Sequence, residues 1–512
     1  MHNKRFFLTQ LMLLSFQILL YGTLFVCFFA ILARTNPQII NFSRTAATTM
    51  ATFSIIMLLL RMVYGGYDVG TKKPRSVFSS FFISTLLADM VTYLQLQIMN
   101  VNPANNDRLI LGGEDLGLLC GVILLQIAAI YLFVGIGNEL YCRINPPQKC
   151  CLVTSSQELA RHVAEKINTF RRKFLLCDVV HYECPDVEMT IENHDVVFLA
   201  GIPDTEEGQL ENFCYRLNKT IYLMAELEDV IISTAEQHIL DDTPFLYIHR
   251  VDPTLLQRFV KRCTDIVISI LGLILFSPLM LITSLLLLFS NRPIFFRQER
   301  ATIHGKIFQI VKFRTMVPGN PQEDPVSAQV DDSRITPLGK VLRKYRIDEI
   351  PQLFNVLLGD MSFVGPRPEM LKNVAKYEQE VPEFKYRQQM KAGLTGLAQI
   401  DGKYNTSPKD KAILDLMYIE NFSLAMDMKL ILRTLTIFFR RDSTQGFTAA
   451  KRVACPKMRT APEPSPMDPL PTPPAEGEDG ATCTVGTGPG KAGDAATEVH
   501  SWQIEKKEGL HG

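Results

Sequence analysis

No two cysteines in this 512-residue chain form a C-x-x-C pair, and the eleven present are an odd number. A disulfide-framed exterior domain is therefore not expected; reduced thiols facing the cytosol are. The one spacing near a metal set, Cys177-x-x-x-His181-x-x-Cys184, lacks a fourth ligand at a standard interval, so zinc is not expected there. Net charge is missing too, with 53 Lys and Arg against 53 Asp and Glu. A protein built mainly to grip nucleic acid would carry a basic excess. Tryptophan occurs once, at Trp502, with no structural role expected. What the chain has in quantity is apolar residues, 47% of the total, crowded near the N-terminus and around position 275. That crowding excludes a wholly soluble enzyme. The length allows two to four domains, each with its own core.

The run at 6–32 is too long for a signal-peptide core and has no convincing cleavage site, so it reads as a membrane span. Further spans are expected at 46–64, 77–99 and 117–137, each near the ~20 residues that cross ~30 Å of hydrocarbon. Asp89 falls inside the third, where a polar group turns into the helix bundle. Lys4, Arg5, Arg61, Lys72, Lys73 and Arg75 lie on one side; Arg34, Arg44 and Arg108, the last among Asp107, Glu114 and Asp115, lie on the other. The positive-inside rule puts the N-terminus in the cytoplasm, and four spans return the chain there at Arg143. Residues 1–145 are thus expected as a four-helix transmembrane bundle.

From 146 to 250 the pattern alternates. Apolar runs at 151–153, 174–180, 195–200 and 220–224 suit buried strands, with helices at 157–171 and 207–218. That rhythm predicts a parallel, Rossmann-like α/β domain. The dinucleotide fingerprint is absent, since Val153-Thr-Ser-Ser156 follows the first strand without a glycine. Tyr215-x-x-x-Lys219 matches a dehydrogenase pair only at a common spacing. A regulatory or oligomerisation module is expected.

Residues 266–289 are apolar enough to span, yet Ser277-Pro278 interrupts them, and proline removes a helix hydrogen bond. Both flanks are basic, with Lys261 and Arg262 before and Arg292, Arg297 and Arg300 after. A re-entrant helix over about 262–290, which keeps both ends in the cytosol, is expected over the alternative of a kinked fifth span.

Residues 251–447 hold 27 Lys and Arg against 20 Asp and Glu, a surface suited to anionic headgroups and phosphorylated substrates. Asp348-Glu349-Ile-Pro351 opens a predicted helix over 352–358, where proline fits the first turn. Adjacent carboxylates point apart, so two jobs are expected: one attacks phosphorus, the other holds a metal. Gly359-Asp-Met-Ser-Phe-Val-Gly-Pro366-Arg367-Pro368 fixes a guanidinium in a rigid turn. Lys391-Ala-Gly393-Leu-Thr-Gly396 adds a glycine-rich loop expected to offer free backbone donors.

This set resembles the bacterial sugar transferases, monotopic phosphoglycosyl transferases that load a sugar phosphate onto a polyprenol phosphate. The likeness runs from Arg258 to Thr436 through Gln298, Arg300, Lys312-Phe-Arg314-Thr-Met316, Asp332-x-Arg334-x-Thr336, Leu342-Arg343, Asp348-Glu349-x-Pro351 and Pro-Arg367-Pro. The Ser277-Pro278 break is a hallmark of the same family. The resemblance implies a mostly helical catalytic domain over 251–447, at the bacterial inner membrane with its face to the cytoplasm. It implies a phosphotransferase that releases UMP from a UDP-sugar, through a covalent intermediate on Asp348, and passes the sugar phosphate to undecaprenyl phosphate. Glu349 would hold Mg²⁺; Arg343 and Arg367 would bind phosphate, with Lys312, Arg314 and Arg334 in support. Exopolysaccharide, capsule or O-antigen synthesis, a homodimer and downstream glycosyltransferases are expectations of the same kind.

One departure is Ala392, where family members often carry proline, which leaves the rigidity of that loop open. Residues 428–441 read as an interfacial amphipathic helix with Lys429, Arg433, Arg440 and Arg441. From 448 to 512 Pro, Gly, Ala, Thr and Glu dominate, and no packed core is expected. Two other classes compete with the transferase: a membrane-anchored nucleotide-sugar epimerase or dehydratase, and an inactive scaffold for glycan assembly. The missing glycine fingerprint weighs against the first, and the intact Asp348-Glu349 pair against the second.

Overall fold

The computed structural model describes residues 2–41, 43–65, 67, 69–70, 72–99, 114–250, 252–289, 293–317, 334–402, 406–437 and 456–460. Asp107, Arg108, Arg292, Asp332, Arg440, Arg441, Trp502 and the side chain of Lys4 lie outside these residues, as does the tail apart from 456–460.

Four long helices open the chain: α1 (His2–Leu32), α2 (Arg44–Tyr64), α3 (Pro74–Met99) and α4 (Glu114–Ile144). Ser43 caps α2 by accepting from the Ala46 N–H, one of the amides a helix start leaves without a partner. The four share a core that includes Leu24, Phe28, Phe53, Phe81 and Ile130. Asp89 is fully buried there and accepts from the Gln126 amide at 3.3 Å.

A parallel sheet follows, in the order β2-β1-β3-β4. Its elements are β1 (Gln148–Thr154), α5 (Gln157–Asn168), β2 (Phe174–His181), α6 (Val187–Glu192), β3 (Val196–Ala200), α7 (Asp204–Arg216) and β4 (Thr220–Leu223). Residues Cys150 to Val153 are fully buried, as suits a central strand covered on both faces. The short α6 was not legible in the pattern. Lys219 donates to the Glu192 and His194 carbonyls while Tyr215 is 83% exposed, so the two do not form a site. The ring nitrogens of His181 are engaged by the Ser155 carbonyl and the Glu183 N–H. Helix α8 (Leu227–Ile232) and an exposed hairpin, β5 (Glu236–Leu240) and β6 (Thr243–Tyr247), complete this region.

Helix α9 (Leu255–Phe289) runs on without interruption through Pro278. Proline lacks the N–H that would reach the Ile274 carbonyl four residues back; the Ser277 hydroxyl donates to that carbonyl instead, at 2.8 Å. The sequence break is thus absorbed inside one helix that is longer than the expected segment. By length and composition, α1 to α4 and α9 are five helices able to cross a membrane.

Beyond α9 come an antiparallel pair, β7 (Phe295–Ala301) and β8 (Ile307–Phe313), then α10 (Pro337–Lys344), α11 (Gln352–Leu358), β9 (Ser362–Val364), α12 (Leu371–Glu380), β10 (Gly393–Thr395), α13 (Leu397–Asp401), α14 (Pro408–Glu420) and α15 (Leu424–Ile437). Thr336 and Ser407 cap α10 and α14, each with proline next. Arg262 of α9 donates to the Val356 and Leu357 carbonyls at 2.7 and 2.8 Å, in the last turn of α11, where carbonyls run short of helical partners. Lys261 pairs with Asp427 at 2.5 Å, and Tyr418 donates to the other Asp427 oxygen. The N-terminal part of α9 is therefore fixed to α11 and α15. Helix α15 starts before the expected interfacial segment and buries Leu430, while Tyr64 of α2 donates to its Leu432 carbonyl.

Candidate functional site

Asp348 and Glu349 lie in a 3-10 turn, Ile347–Glu349, that leads through Pro351 into α11. Arg346 takes a left-handed conformation (φ 54°) just before it, turning the chain so that the carboxylates face β8 rather than solvent. A helix start favours negative charge, as the Asp-Glu-Ile-Pro pattern predicts. Gly359, also left-handed (φ 95°), ends α11.

The two carboxylates differ in company. Glu349 meets Lys312 at 3.1 Å, Arg367 at 3.3 Å and Arg346 at 3.5 Å. Burial alone would raise its pKa, but these three cations outweigh it and hold the group ionised, well below the usual carboxylate range. Asp348 is 9% exposed and has no ion pair among the described residues. Burial first, then the Glu349 charge, push its pKa up against the opposing Lys312 and Arg343. Lys312 sits low despite its carboxylate partner, because burial is the larger effect and Arg367 adds repulsion.

Arg367 stands in the Gly365–Pro368 turn with its side chain 42% exposed. Its carbonyl accepts from Arg387 at 2.7 Å, and Arg387 in turn forms a buried ion pair with Asp415 at 2.6 Å. The turn lies against the glycine-rich loop: Gly393 N–H donates to the Pro366 carbonyl and Gly365 N–H to the Thr395 carbonyl. A Cβ on Gly393 would sit 2.1 Å from the Gly365 nitrogen. The expectation of free donors is corrected here for Gly393, since close backbone packing uses its N–H. Ala392 N–H donates to the Thr302 hydroxyl at 3.0 Å, an anchor that proline could not supply.

Arg300, Lys312, Gln352, Arg367 and Gln399 line one small cleft beside the dyad. Arg300 Nε and Gln352 Nε2 are buried donors without partners among the described residues, and burial with the nearby Arg367 brings Arg300 down to about 10. Such donors suit an anion. Arg343 donates to the Thr315 hydroxyl at 2.9 Å and acts on Asp348 through its charge. Arg314 forms no ion pair with either carboxylate among the described residues. Its guanidinium lies over the Phe296 ring, with a buried Nε that lacks a partner among the described residues; the Arg334 carbonyl accepts from Val317 N–H. Sequence reasoning missed Arg346, whose signal was its place three residues before Glu349, and also Gln352 and Gln399, which carry no local signal. No group of three or more His, Cys, Asp or Glu able to hold a metal occurs among the described residues.

Comparison with known proteins bears on the same stretch. Residues 256–441 match the family model described as bacterial sugar transferase. A UDP-N-acetylgalactosamine-undecaprenyl-phosphate N-acetylgalactosaminephosphotransferase of Aeromonas hydrophila is 42% identical over 187 residues, 36% of this chain and 44% of its own. A UDP-glucose:undecaprenyl-phosphate glucose-1-phosphate transferase of Caulobacter vibrioides is 41% identical over 189 residues, 36% of this chain and 71% of its own. An undecaprenyl-phosphate galactose phosphotransferase of Salmonella typhimurium is 36% identical over 225 residues, 39% of this chain and 46% of its own. The match thus spans less than half the length of the Aeromonas and Salmonella proteins.

Proposed function

The chain belongs to the bacterial sugar transferase family, and from that premise we propose that it transfers a sugar 1-phosphate from a UDP-sugar to undecaprenyl phosphate. An Asp348 carboxylate oxygen bonds to the phosphorus that carries the sugar as the bond to the bridging oxygen breaks, and UMP leaves with the electron pair. An oxygen of undecaprenyl phosphate then bonds to the same phosphorus, and the Asp348 carboxylate leaves as an anion. The observation that carries this reading is the division within one turn: Glu349 is held by three cations, while the buried Asp348 has no ion pair among the described residues. Arg367, half exposed at the cleft, and the unpartnered donors of Arg300 and Gln352 supply charge and hydrogen bonds for the diphosphate.

Glu349 would hold Mg²⁺ together with the substrate phosphates. A carboxylate has about four acceptor positions; Lys312 and Arg367 use Oε1 and Arg346 approaches Oε2, leaving one on Glu349. Mg²⁺ is commonly held by one or two carboxylates plus substrate phosphates. When bound, the ion would screen the diphosphate from the approaching carboxylate.

The chain's organisation follows the same reading: a four-helix transmembrane bundle, a Rossmann-like domain, and a re-entrant α9 that floats the site at the headgroup level of the bacterial inner membrane, facing the cytoplasm. Both flanks of α9 return to one catalytic region, Arg262 through the α11 carbonyls and Ile294 by accepting from Arg314 N–H. That favours re-entrance over a fifth crossing. The product would open synthesis of exopolysaccharide, capsule or O-antigen and pass to downstream glycosyltransferases, with the chain acting as a homodimer.

The test is UMP release from a panel of UDP-sugars by the purified protein with Mg²⁺ and undecaprenyl phosphate. One or more sugars should yield UMP, and Asp348→Asn should lower the rate by more than about 10⁴-fold, as expected for loss of a nucleophile. Retained activity in that variant would sink the covalent route. No UMP from a folded protein with any donor would sink the transferase reading.

A further inference from the structure

The parallel sheet ends at β2, and an edge strand presents backbone N–H and C=O groups that invite another strand. Residues from the far end of the chain meet that invitation. Arg459 N–H donates to the Val179 carbonyl at 2.9 Å, and His181 N–H donates to the Arg459 carbonyl at 2.9 Å, forming a parallel bridge opposite Val180. The expectation of an unpacked tail over 448–512 therefore gives way at 456–460.

Side chains fix the register. The Arg459 guanidinium donates to Asp178 at 2.9 Å and to the Thr190 hydroxyl at 3.3 Å. His194 lies 3.2 Å from the other Asp178 oxygen, so the carboxylate is held from both sides. Met458 N–H donates to the Gln157 side chain at 3.3 Å. The Met458 side chain packs on the cluster formed by Leu152, Ala160, Val179 and Ala200. Successive residues thus read opposite features, an apolar patch and a carboxylate, which is how an added strand is recognised: backbone bonds give affinity and alternate side chains give specificity.

We propose that the outer edge of β2 is a peptide-docking site whose occupant is this chain's own 456–460 segment, held in cis as a short added strand. It straps the C-terminal region to the α/β domain. Eighteen residues separate Ile437, the last described residue of α15, from the segment, and eighteen residues span at most roughly 60 Å. Tethering raises the effective concentration of the segment to about the millimolar range, enough to hold contacts that are individually weak. The Arg459–Asp178 pair is 44% and 37% exposed, so the strap is docked yet releasable.

Hydrogen–deuterium exchange on the full-length protein in nanodiscs tests this without touching the catalytic site. Arg459→Pro removes both the N–H donor and the guanidinium; exchange in a peptide covering 176–182 should rise about tenfold at the His181 amide. Arg459→Asp, which places like charge beside Asp178, should do the same, and Arg459→Lys should keep most of the protection. These substitutions lie in an exposed segment, so the fold is not at risk. Protection should also survive hundredfold dilution of the wild type. Equal exchange at His181 in all four proteins would overturn the docking site. Protection lost on dilution would overturn the cis occupant and point to a second copy's segment.

Discussion

Two carboxylates of the family-matched region, Asp415 and Glu349, gather arginine and lysine, and they do so to opposite ends. Around Asp415 the arrangement is closed: Arg387 pairs with it at 2.6 Å, the two side chains are 6% and 1% exposed, and Lys411 with Glu369 adds a further pair at 3.6 Å. Around Glu349 it is open, because three cations converge on one carboxylate and Arg367 keeps 42% of its side chain exposed. Matched charges sealed from water hold a fold in place, whereas a cationic surplus at a cleft awaits an anion. Arg387 links the two, since it donates to the backbone carbonyl of Arg367.

The sharpest way to break that contrast is to remove one arginine from each cluster. Arg367→Ala should cost about 10- to 100-fold in kcat/KM for UMP release, the value of one or two charge-assisted hydrogen bonds. Its stability should change by no more than ~1 kcal/mol, because the side chain is half exposed. Arg387→Ala should instead lower stability by about 3–5 kcal/mol, leaving the Asp415 carboxylate buried without its partner. Thermal unfolding and single-turnover kinetics on both variants separate the roles. Equal stability losses would erase the distinction.

A smaller effect sharpens it through pH. Burial and the Glu349 charge raise Asp348, while Lys312 and Arg343 oppose them. A nucleophilic carboxylate must be ionised, so activity should fall as pH drops through a value above the ordinary Asp figure of about 3.9. Lys312→Met removes a cation that favours the ionised form. The acid limb of UMP release should therefore move to higher pH, by roughly one unit for a charge a few ångströms away. An unmoved limb would mean that Asp348 does not govern the profile.

How much of this was legible in the sequence follows from whether a feature is local. The dyad at the start of α11 was readable because Asp348-Glu349-Ile-Pro351 carries a helix start within four residues. The buried strands of the sheet were readable for the same reason, as short apolar runs between polar stretches. The company of Glu349 was not, since Lys312 and Arg367 come from β8 and from a turn 18 residues onward. Nor was the fate of Pro278, because proline predicts a missing hydrogen bond but not that the neighbouring Ser277 hydroxyl replaces it. The hairpin β5–β6 and the strap at 456–460 depend on register with a distant or turned-back strand, which a one-dimensional pattern does not encode.

The smallest expected effect lies at Ala392, beside the turn that carries Arg367. Proline there would lose the N–H that donates to the buried Thr302 hydroxyl, a bond worth about 1 kcal/mol. It would also stiffen the unfolded chain, which returns roughly 0.4–1 kcal/mol where the backbone tolerates the ring. Ala392→Pro should therefore destabilise by no more than ~1 kcal/mol, read as a small fall in Tm, with UMP release close to wild type. Thr302→Val removes the acceptor and with it the Thr302 bond to the Asp360 carbonyl. Combined with Ala392→Pro, it should cost less than the two single changes added together, because both delete one shared hydrogen bond. A strictly additive pair would show that the Thr302 hydroxyl does not anchor the loop. Rigidity would then rest on the backbone hydrogen bonds between loop and turn, Gly393 N–H to Pro366 and Gly365 N–H to Thr395.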